Sequence, residues 1–590
     1  MVMSRSSETT DMTTEEQSIN LIENMTKMHP VDQFACKLVN YTSRFNYTQS
    51  QSYAPQNITG RYVIYPSYGD FPDTYFLRSY GKWWINRVAH QIEYMPQDKD
   101  PLAAEDYITV RFEIPVVPRN VCIYEVYNPG SIVRIWGTLS KNESCWILLW
   151  EGKPQKCTNK SRKFHPKIKF TNKLINTIRL EFNQSELDYH TSIDAVLLGG
   201  YMSESLLLFG VLKEQLPLLD VKQIKSQQED FTKFELVCYE NKEDYFSNLP
   251  YELVTHIFQY LDLKSLCRCA QVNKRWSEIA RDAALYTNLS LKRYWYIMNG
   301  KLLRDFLPKI KGIKKLDLSW CGNNCLEFPL VVNKVLIEQK TTLTHLSLNN
   351  CEYVNNSLIE NISRCKELID LRLKNTTFWR ISTLDELNKL VSLDLTDTMI
   401  QDNDLIKILR SNPNLKHLII DLCKDLRRLD HVVAVAAQHN KQLESWSSWK
   451  CESMTYEGAR SFGQLHQLTD LDLGWCLLTT HPGDCLHEIA KGCPKLRRLI
   501  LAEWRGITDV LLLPIIKRCS KLEELDLLGI RGISPDIVRT AFKSLPALKL
   551  LDLSYCMDID QDYVMLWREE YPHITIQRSY QYIVNEYWMN

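Results

Sequence analysis

A pattern of apolar residues at offsets 0, 3, 5 and 8 recurs through the C-terminal half, and it constrains the fold more than any other feature of this 590-residue chain. The first copy is Ile313, Leu316, Leu318 and Cys321. Later copies start at Leu343, Leu368, Leu390, Leu415, Leu443, Leu468, Leu496, Leu522 and Leu548, ten in all at intervals of 22 to 30 residues. In "LTDLDLGWC" from Leu468 and "LKLLDLSYC" from Leu548, inward leucines alternate with polar residues, as in a strand packed on one face. Between the strands lie segments such as "VLLLPIIKRC" and "CLHEIAKGC", each about one amphipathic helix long, so every repeat reads as strand then helix. Such units bury their apolar faces only by stacking, and helices are wider than strands. The stack therefore curves, with the strands lining its concave face.

The eighth offset holds Cys321, Cys351, Cys423, Cys451, Cys476 or Cys556 in six copies and Thr376 or Thr398 in two. Cys365, Cys493 and Cys519 each sit at the end of a helix, just before a strand. Only Cys325 and Cys485 of the eleven cysteines after Lys314 are left without such a post. With no His or Cys cluster at ligand spacing, neither a metal nor another cofactor is expected. The thirteen histidines are scattered and no glycine-rich phosphate loop is present, so the chain offers no catalytic constellation.

Lysine plus arginine balances aspartate plus glutamate at 71 each, which argues against nucleic acid or an anionic membrane as partner and leaves another protein. No apolar run is long enough to span a bilayer, the best being the short Leu206 to Leu208 patch. Residues 1–50 read as a mostly disordered leader, acidic at Glu8, Asp11, Glu15 and Glu16 and without an apolar signal core. The expected address is cytoplasmic, with the nucleus left open. The cysteines are then reduced, and Asn-x-Ser/Thr triplets such as those at Asn40 and Asn46 carry no glycan.

The texture from 53 to 201 is different. "YITVRFEIP", "NVCIYEVYN", "SIVRIWGTL", "CWILLWEG", "NTIRLEFN" and "IDAVLLGGY" read as strands separated by Pro, Gly or Asn, and imply an antiparallel β-sandwich. Its aromatics Tyr68, Trp83 and Trp84 either bind a ligand at the loops or pack them; both readings stand. Residues 203–245 are polar and Gln-rich, which suits a linker.

Residues 246–290 carry Leu249, Pro250, Glu252, Ile257, Leu261, Leu266, Val272 and Trp276. Pro250 suits the start of a helix, where its missing N–H is no loss. Leu253, Ile257, Tyr260 and Leu261 form one stripe, and Leu266, Ala270, Val272 and Trp276 a second. About 45 residues cannot cover that much apolar surface alone. The spacing closely resembles the F-box, the alternative being a helical hairpin that caps the repeats. The repeats of residues 291–578 resemble the cysteine-containing class of leucine-rich repeats, and the N-terminal strands resemble discoidin-like or galactose-binding-like sandwiches. In this order, with "GDF" at Gly69, "YGKWW" ending at Trp84 and "YPHITIQRSY" at Tyr571, the chain resembles a mitochondria-associated kind of F-box/leucine-rich-repeat protein.

The resemblance implies a multidomain chain: sandwich, helical F-box, α/β solenoid and a tail at 579–590. It implies that Leu249, Pro250, Ile257, Leu261, Leu266, Val272 and Trp276 meet a Skp-type adaptor, and through it a cullin. The protein would be a non-catalytic subunit recruiting targets for ubiquitination, among them mitophagy receptors at the outer mitochondrial membrane. A repeat scaffold without a ligase role is the alternative. Target contacts are expected on the concave face, from an acidic stripe of Asp317, Asp394, Asp472, Asp526 and Asp552 and from Trp320, Trp449, Trp475 and Tyr555 just past the strands. The competing reading gives the aspartates to turns and the aromatics to strand ends. The tail, with Tyr580, Tyr582, Tyr587 and Trp588, is expected to fold back across the arc.

Overall fold

The computed structural model describes residues 28–42, 52–77, 102–139, 145–187, 189–203, 246, 249–307, 310–322, 325–378, 383–476, 483–579 and 581–582. The leader before Met28, the linker after Ser203, and Trp83, Trp84, Tyr580, Tyr587 and Trp588 lie outside the described residues.

The first part is antiparallel: β1 (Met28–Phe34), β2 (Lys37–Tyr41), β3 (Tyr68–Gly69), β4 (Tyr75–Phe76), β5 (Asp106–Tyr127), β6 (Ile132–Thr138), β7 (Ile147–Glu151), β8 (Arg162–Phe164), β9 (Ile175–Phe182) and β10 (Ser192–Ser203). The expectation of a leader up to residue 50 is corrected here, because β1 pairs with β10 and β2 with β5. Two segments expected as separate strands are one, the 22-residue β5. Its first half pairs with β2 and β9, its second half with β10 and β8, and the register to β9 breaks between Arg111 and Val116. Pro115 and Pro118, which look like strand breakers in sequence, sit at this changeover, where the ladder is interrupted and a missing N–H costs little. Ile108, Val110, Ile123, Ile178, Leu180, Val196 and Leu198 belong to the main apolar core of this domain.

Three short helices follow: α1 (Tyr251–Phe258), α2 (Leu263–Cys269) and α3 (Lys274–Ala280). Side chains close their open amide ends: Asp262 accepts from Ser265 N at 2.8 Å and Asn273 from Trp276 N at 2.8 Å.

Beyond them stands a parallel sheet of twelve strands, from Asn288–Ser290 to Thr575–Gln577. The ten expected copies supply its middle, and one strand is added at each end. Leu316, Leu346, Leu371, Leu393, Leu418, Trp446, Leu471, Leu499, Leu525 and Leu551 sit in register and are buried. Truncating one of the leucines to alanine would cost about 2–5 kcal/mol.

The β domain is packed on this arc rather than held away by a linker, and Ala104, Tyr107, Val133 and Trp136 belong to the same apolar cluster as the helices and the arc. Arg179 of β9 is the pivot. Its guanidinium carbon lies 3.5 Å from the ring centre of Tyr107, 3.4 Å from that of Trp295 and 5.0 Å from that of Trp320, and its Nε lies 3.4 Å from Glu181 Oε1. Glu181 also accepts from Trp295 Nε1 at 2.8 Å. Further along, Asn40 donates to Glu352 at 2.5 Å, Tyr53 and Tyr555 share a 3.1 Å hydroxyl contact, and Ser579 donates to Asp70 at 2.9 Å. Of the tail expected to cross the arc, Ser579, Gln581 and Tyr582 are described, and Gln581–Tyr582 pairs antiparallel with β3 of the β domain instead.

Arg179→Ala removes the cation from three aromatic faces and half-strips a buried carboxylate, and is expected to cost about 3 kcal/mol. Arg179→Lys is not expected to restore it, because an ammonium lacks the planar stacking face. Denaturant titration of both variants, with hydrogen exchange around Trp295 and Trp320, measures this directly.

Candidate functional site

Two surfaces answer to the residues singled out by sequence. On the helical module, Ile257 is 39% exposed, Val272 61%, Leu253 51% and Tyr260 68%, while Val254 and Phe258 point inward. Pro250 is exposed at the start of α1 and Leu249 is half-buried, its carbonyl accepting from Arg275. Leu266 is fully buried, and Leu261 and Trp276 are partly buried against the core, Trp276 packed edge-on to Phe258. Leu266 is thereby corrected from an adaptor contact to an internal support of the module, while Leu261 and Trp276 keep part of their surface open. Leu253 and Tyr260, read in sequence only as parts of a stripe, are open to a partner.

On the arc, each repeat makes the same turn after its strand. The residue at offset 7 is left-handed every time: Trp320, Asn350, Asn375, Asp397, Leu422, Lys450, Trp475, Glu503, Gly529 and Tyr555. Nine of these ten are not glycine, a conformation that costs each of them of order 1 kcal/mol. The turn is held by neighbouring repeats, as when Trp475 N donates to Ala502 O at 2.8 Å and Glu503 N to Leu528 O at 2.7 Å. The next residue then reaches back. Cys321 Sγ donates to Leu291 O, Cys351 to Leu318 O, Cys423 to Leu395 O, Cys451 to Ile420 O, Cys476 to Ser448 O and Cys556 to Leu527 O, all within 3.3 Å. Trp504 takes this post in its own repeat, its indole N–H donating to Leu473 O at 2.8 Å.

The acidic stripe is corrected. Asp317, Asp394, Asp472, Asp526 and Asp552 are all buried, each accepting the amide two residues on, at 2.8 to 3.2 Å. They brace the turn, and the β domain covers part of the face they were expected to display. Burial pushes the Asp394 carboxyl up from the ordinary carboxylate range. Burial first, and then the Asp552 and Asp472 carboxylates, push Asp526 well up; burial likewise raises Asp552.

Trp320 is buried against Tyr107 of β5, its ring centre 5.1 Å away, so it is an interdomain contact. Trp449, Trp475, Tyr555, Asp472 and Asp526 instead come together in a cavity of about 220 Å³ between the arc and the β domain, closed on the far side by Tyr53, Asp70, Phe76, Tyr189 and His190. Asp394 lies elsewhere on the arc. Sequence reasoning found the arc half of this cavity and missed the other half, which carries no pattern pointing at a solenoid. Among the described residues no group of three or more His, Cys, Asp or Glu is placed to hold a metal, and no helix is long and apolar enough to cross a membrane.

Residues 246–292 match the F-box-like family model. The chain is 29% identical over 517 residues to F-box/LRR-repeat protein 4 of Bos taurus, covering 81% of this chain and 80% of that protein. It is 24% identical over 311 residues to F-box/LRR-repeat protein 5 of Bos taurus, covering 46% of this chain and 44% of the other. Among solved structures, a chain of the Rad7 and Elc1 complex in yeast matches 50% of this chain and 72% of its own, at 17% identity and a TM-score of 0.36.

A carboxyl raised by burial holds its proton to a higher pH in the folded than in the unfolded chain, so its contribution to stability is lost as the pH rises through the raised value. Asp526→Asn keeps an acceptor for the Leu528 amide and removes the charge. It is expected to stabilise the arc at pH 8 by about 1 kcal/mol. That gain should shrink as the pH falls toward the ordinary carboxylate range, as read by thermal melting at both ends.

Proposed function

We propose that this chain, which resembles F-box/LRR-repeat protein 4 over most of its length, is the target-recruiting, non-catalytic subunit of a Skp-cullin-F-box ubiquitin ligase. The observation that carries this is the apolar patch of Leu253, Ile257, Tyr260 and Val272, left open on a helical module that matches the F-box-like model. A module this small exposes such a patch at a cost unless a partner covers it. A Skp-type adaptor is the partner the resemblance supplies, and a cullin follows through it. The curved arc, with the β domain seated against it, then holds the target. The discoidin-like character of the β domain, a peripheral place at the outer mitochondrial membrane and mitophagy receptors as targets rest on the resemblance alone.

Since Ala104, Tyr107, Val133 and Trp136 of the β domain join the apolar cluster of the arc, the domain works as part of the target-facing surface rather than as a separable address label. Deleting residues 53–201 would uncover Trp295, Trp320 and Trp449 and is a poor test of localisation.

The better test lies on α1. Leu253→Asp with Ile257→Asp is expected to abolish co-purification with the adaptor, each contact contributing about 1–2 kcal/mol, while leaving the melting temperature unchanged. Leu266→Ala should instead lower the melting temperature. If the double variant still captures the adaptor, the ligase reading fails and a scaffold role replaces it.

A further inference from the structure

The cavity between arc and β domain is built from opposite kinds of group, and their combination selects a ligand. Its walls are aromatic: Trp449 and Trp475 from the arc, Phe76 and Tyr189 from the β domain, and Tyr53 and Tyr555 where the two meet through their hydroxyls at 3.1 Å. Besides the tyrosine hydroxyls and the His190 imidazole, its polar side chains are carboxyls: Asp70, Asp472, Glu503 and Asp526. His190 faces Asp70 at 3.5 Å, and Glu503 pairs with Arg505 at 2.6 Å. No lysine or arginine is among the described residues that line it. Asp526 is fixed by the Leu528 amide at 2.9 Å, and the Arg498 guanidinium partly offsets the burial and the Asp552 and Asp472 charges that push its carboxyl up.

The two tryptophans already show their affinity for positive charge, because the Lys450 ammonium lies 4.8 Å from the centre of the Trp449 ring and 4.7 Å from that of Trp475. An aromatic face attracts a cation through its quadrupole, most strongly where water is excluded, and a carboxylate behind it adds to the attraction. A cavity of about 220 Å³ admits a side-chain-sized group and not a folded element.

We propose that this composite cavity binds a compact organic cation, an ammonium or guanidinium head on an apolar stem, presented by the recruited protein as a lysine or arginine side chain. The proposal rests on the target-recruiting reading, and it makes the β domain half of the recognition site. Asp526 and Asp472 face the cation from the arc, Asp70 from the β domain, and the rings of Trp475 and Trp449 enclose its stem.

The test uses the full chain and calorimetric titration with four probes: Nα-acetyl-lysine methylamide, Nα-acetyl-arginine methylamide, choline, and 3,3-dimethyl-1-butanol as the uncharged counterpart of choline. The expected result is saturable binding of a peptide-type cation, weakened about tenfold or more by Asp526→Asn and by Trp475→Leu, with the uncharged probe weaker by a similar factor. Asp526→Asn is expected to be at least as stable as the parent, so loss of binding in that variant is not loss of fold.

Choline binding while both amino-acid probes fail would overturn the side-chain assignment in favour of a free metabolite. Equal binding of the uncharged probe, or undiminished binding by Asp526→Asn, would overturn the cation site altogether. Adaptor capture by the same preparations separates the two readings. Adaptor binding without cation binding sinks only the cavity proposal, and cation binding without adaptor binding sinks only the ligase reading.

Discussion

One guanidinium stacked among three aromatic rings decides what the arc can show to a partner. Arg179 is supplied by the β domain, Tyr107 by the same domain, and Trp295 and Trp320 by the start of the solenoid, so the contact closes only when both bodies are present. Buried charge is costly unless it is paired, and here burial pulls against the cation while Glu181 offsets it. The arrangement fixes orientation as well as proximity, because a planar cation meets rings at set angles. Part of the concave face is thereby spent on an intramolecular contact.

The solenoid itself is held by a second kind of repetition. Repeats of this class touch only their neighbours, so each junction must be satisfied locally. Apolar ladders fill the interior, but the carbonyls left at each turn need donors, and a thiol is small enough to reach back without disturbing the packing. Thr376 and Thr398 satisfy carbonyls within their own repeats, those of Leu373 and Leu395. That a tryptophan does the reaching in the repeat from Leu496 shows that the donor matters and the residue type less. The cysteines at helix ends act alike, Cys493 donating to Phe462 O at 3.2 Å.

Much of this was legible in sequence because it is periodic. The ten registers, the helical stripes of the F-box-like module and the structural posts of the cysteines all follow from spacing. What was not legible depends on neighbours distant in the chain. Asp472 and Asp526 look outward by alternation, yet the turn claims one carboxylate oxygen of each, and burial follows from what packs above. Leu266 looks like an interface residue because it is apolar and correctly spaced, yet the packing of the three helices against the arc puts it inside. The strands "MHPVDQF" and "KLVNY" lack a clean alternation and gain their place from β10 and β5. The docking of Tyr107 on Trp320 joins positions more than two hundred residues apart and leaves no local trace.

The left-handed residue at every turn separates two demands that usually compete. From Trp320 to Gly529 its amide donates to a carbonyl of the next repeat, and this chain places tryptophan, asparagine, aspartate, leucine, lysine, glutamate and glycine there, with tyrosine at the last turn. The curvature of the arc is therefore insulated from its chemical lettering. A row of such sites behaves like movable type on a rigid forme: exchanging one character rewrites what the edge can recognise, and the frame that carries it keeps its shape.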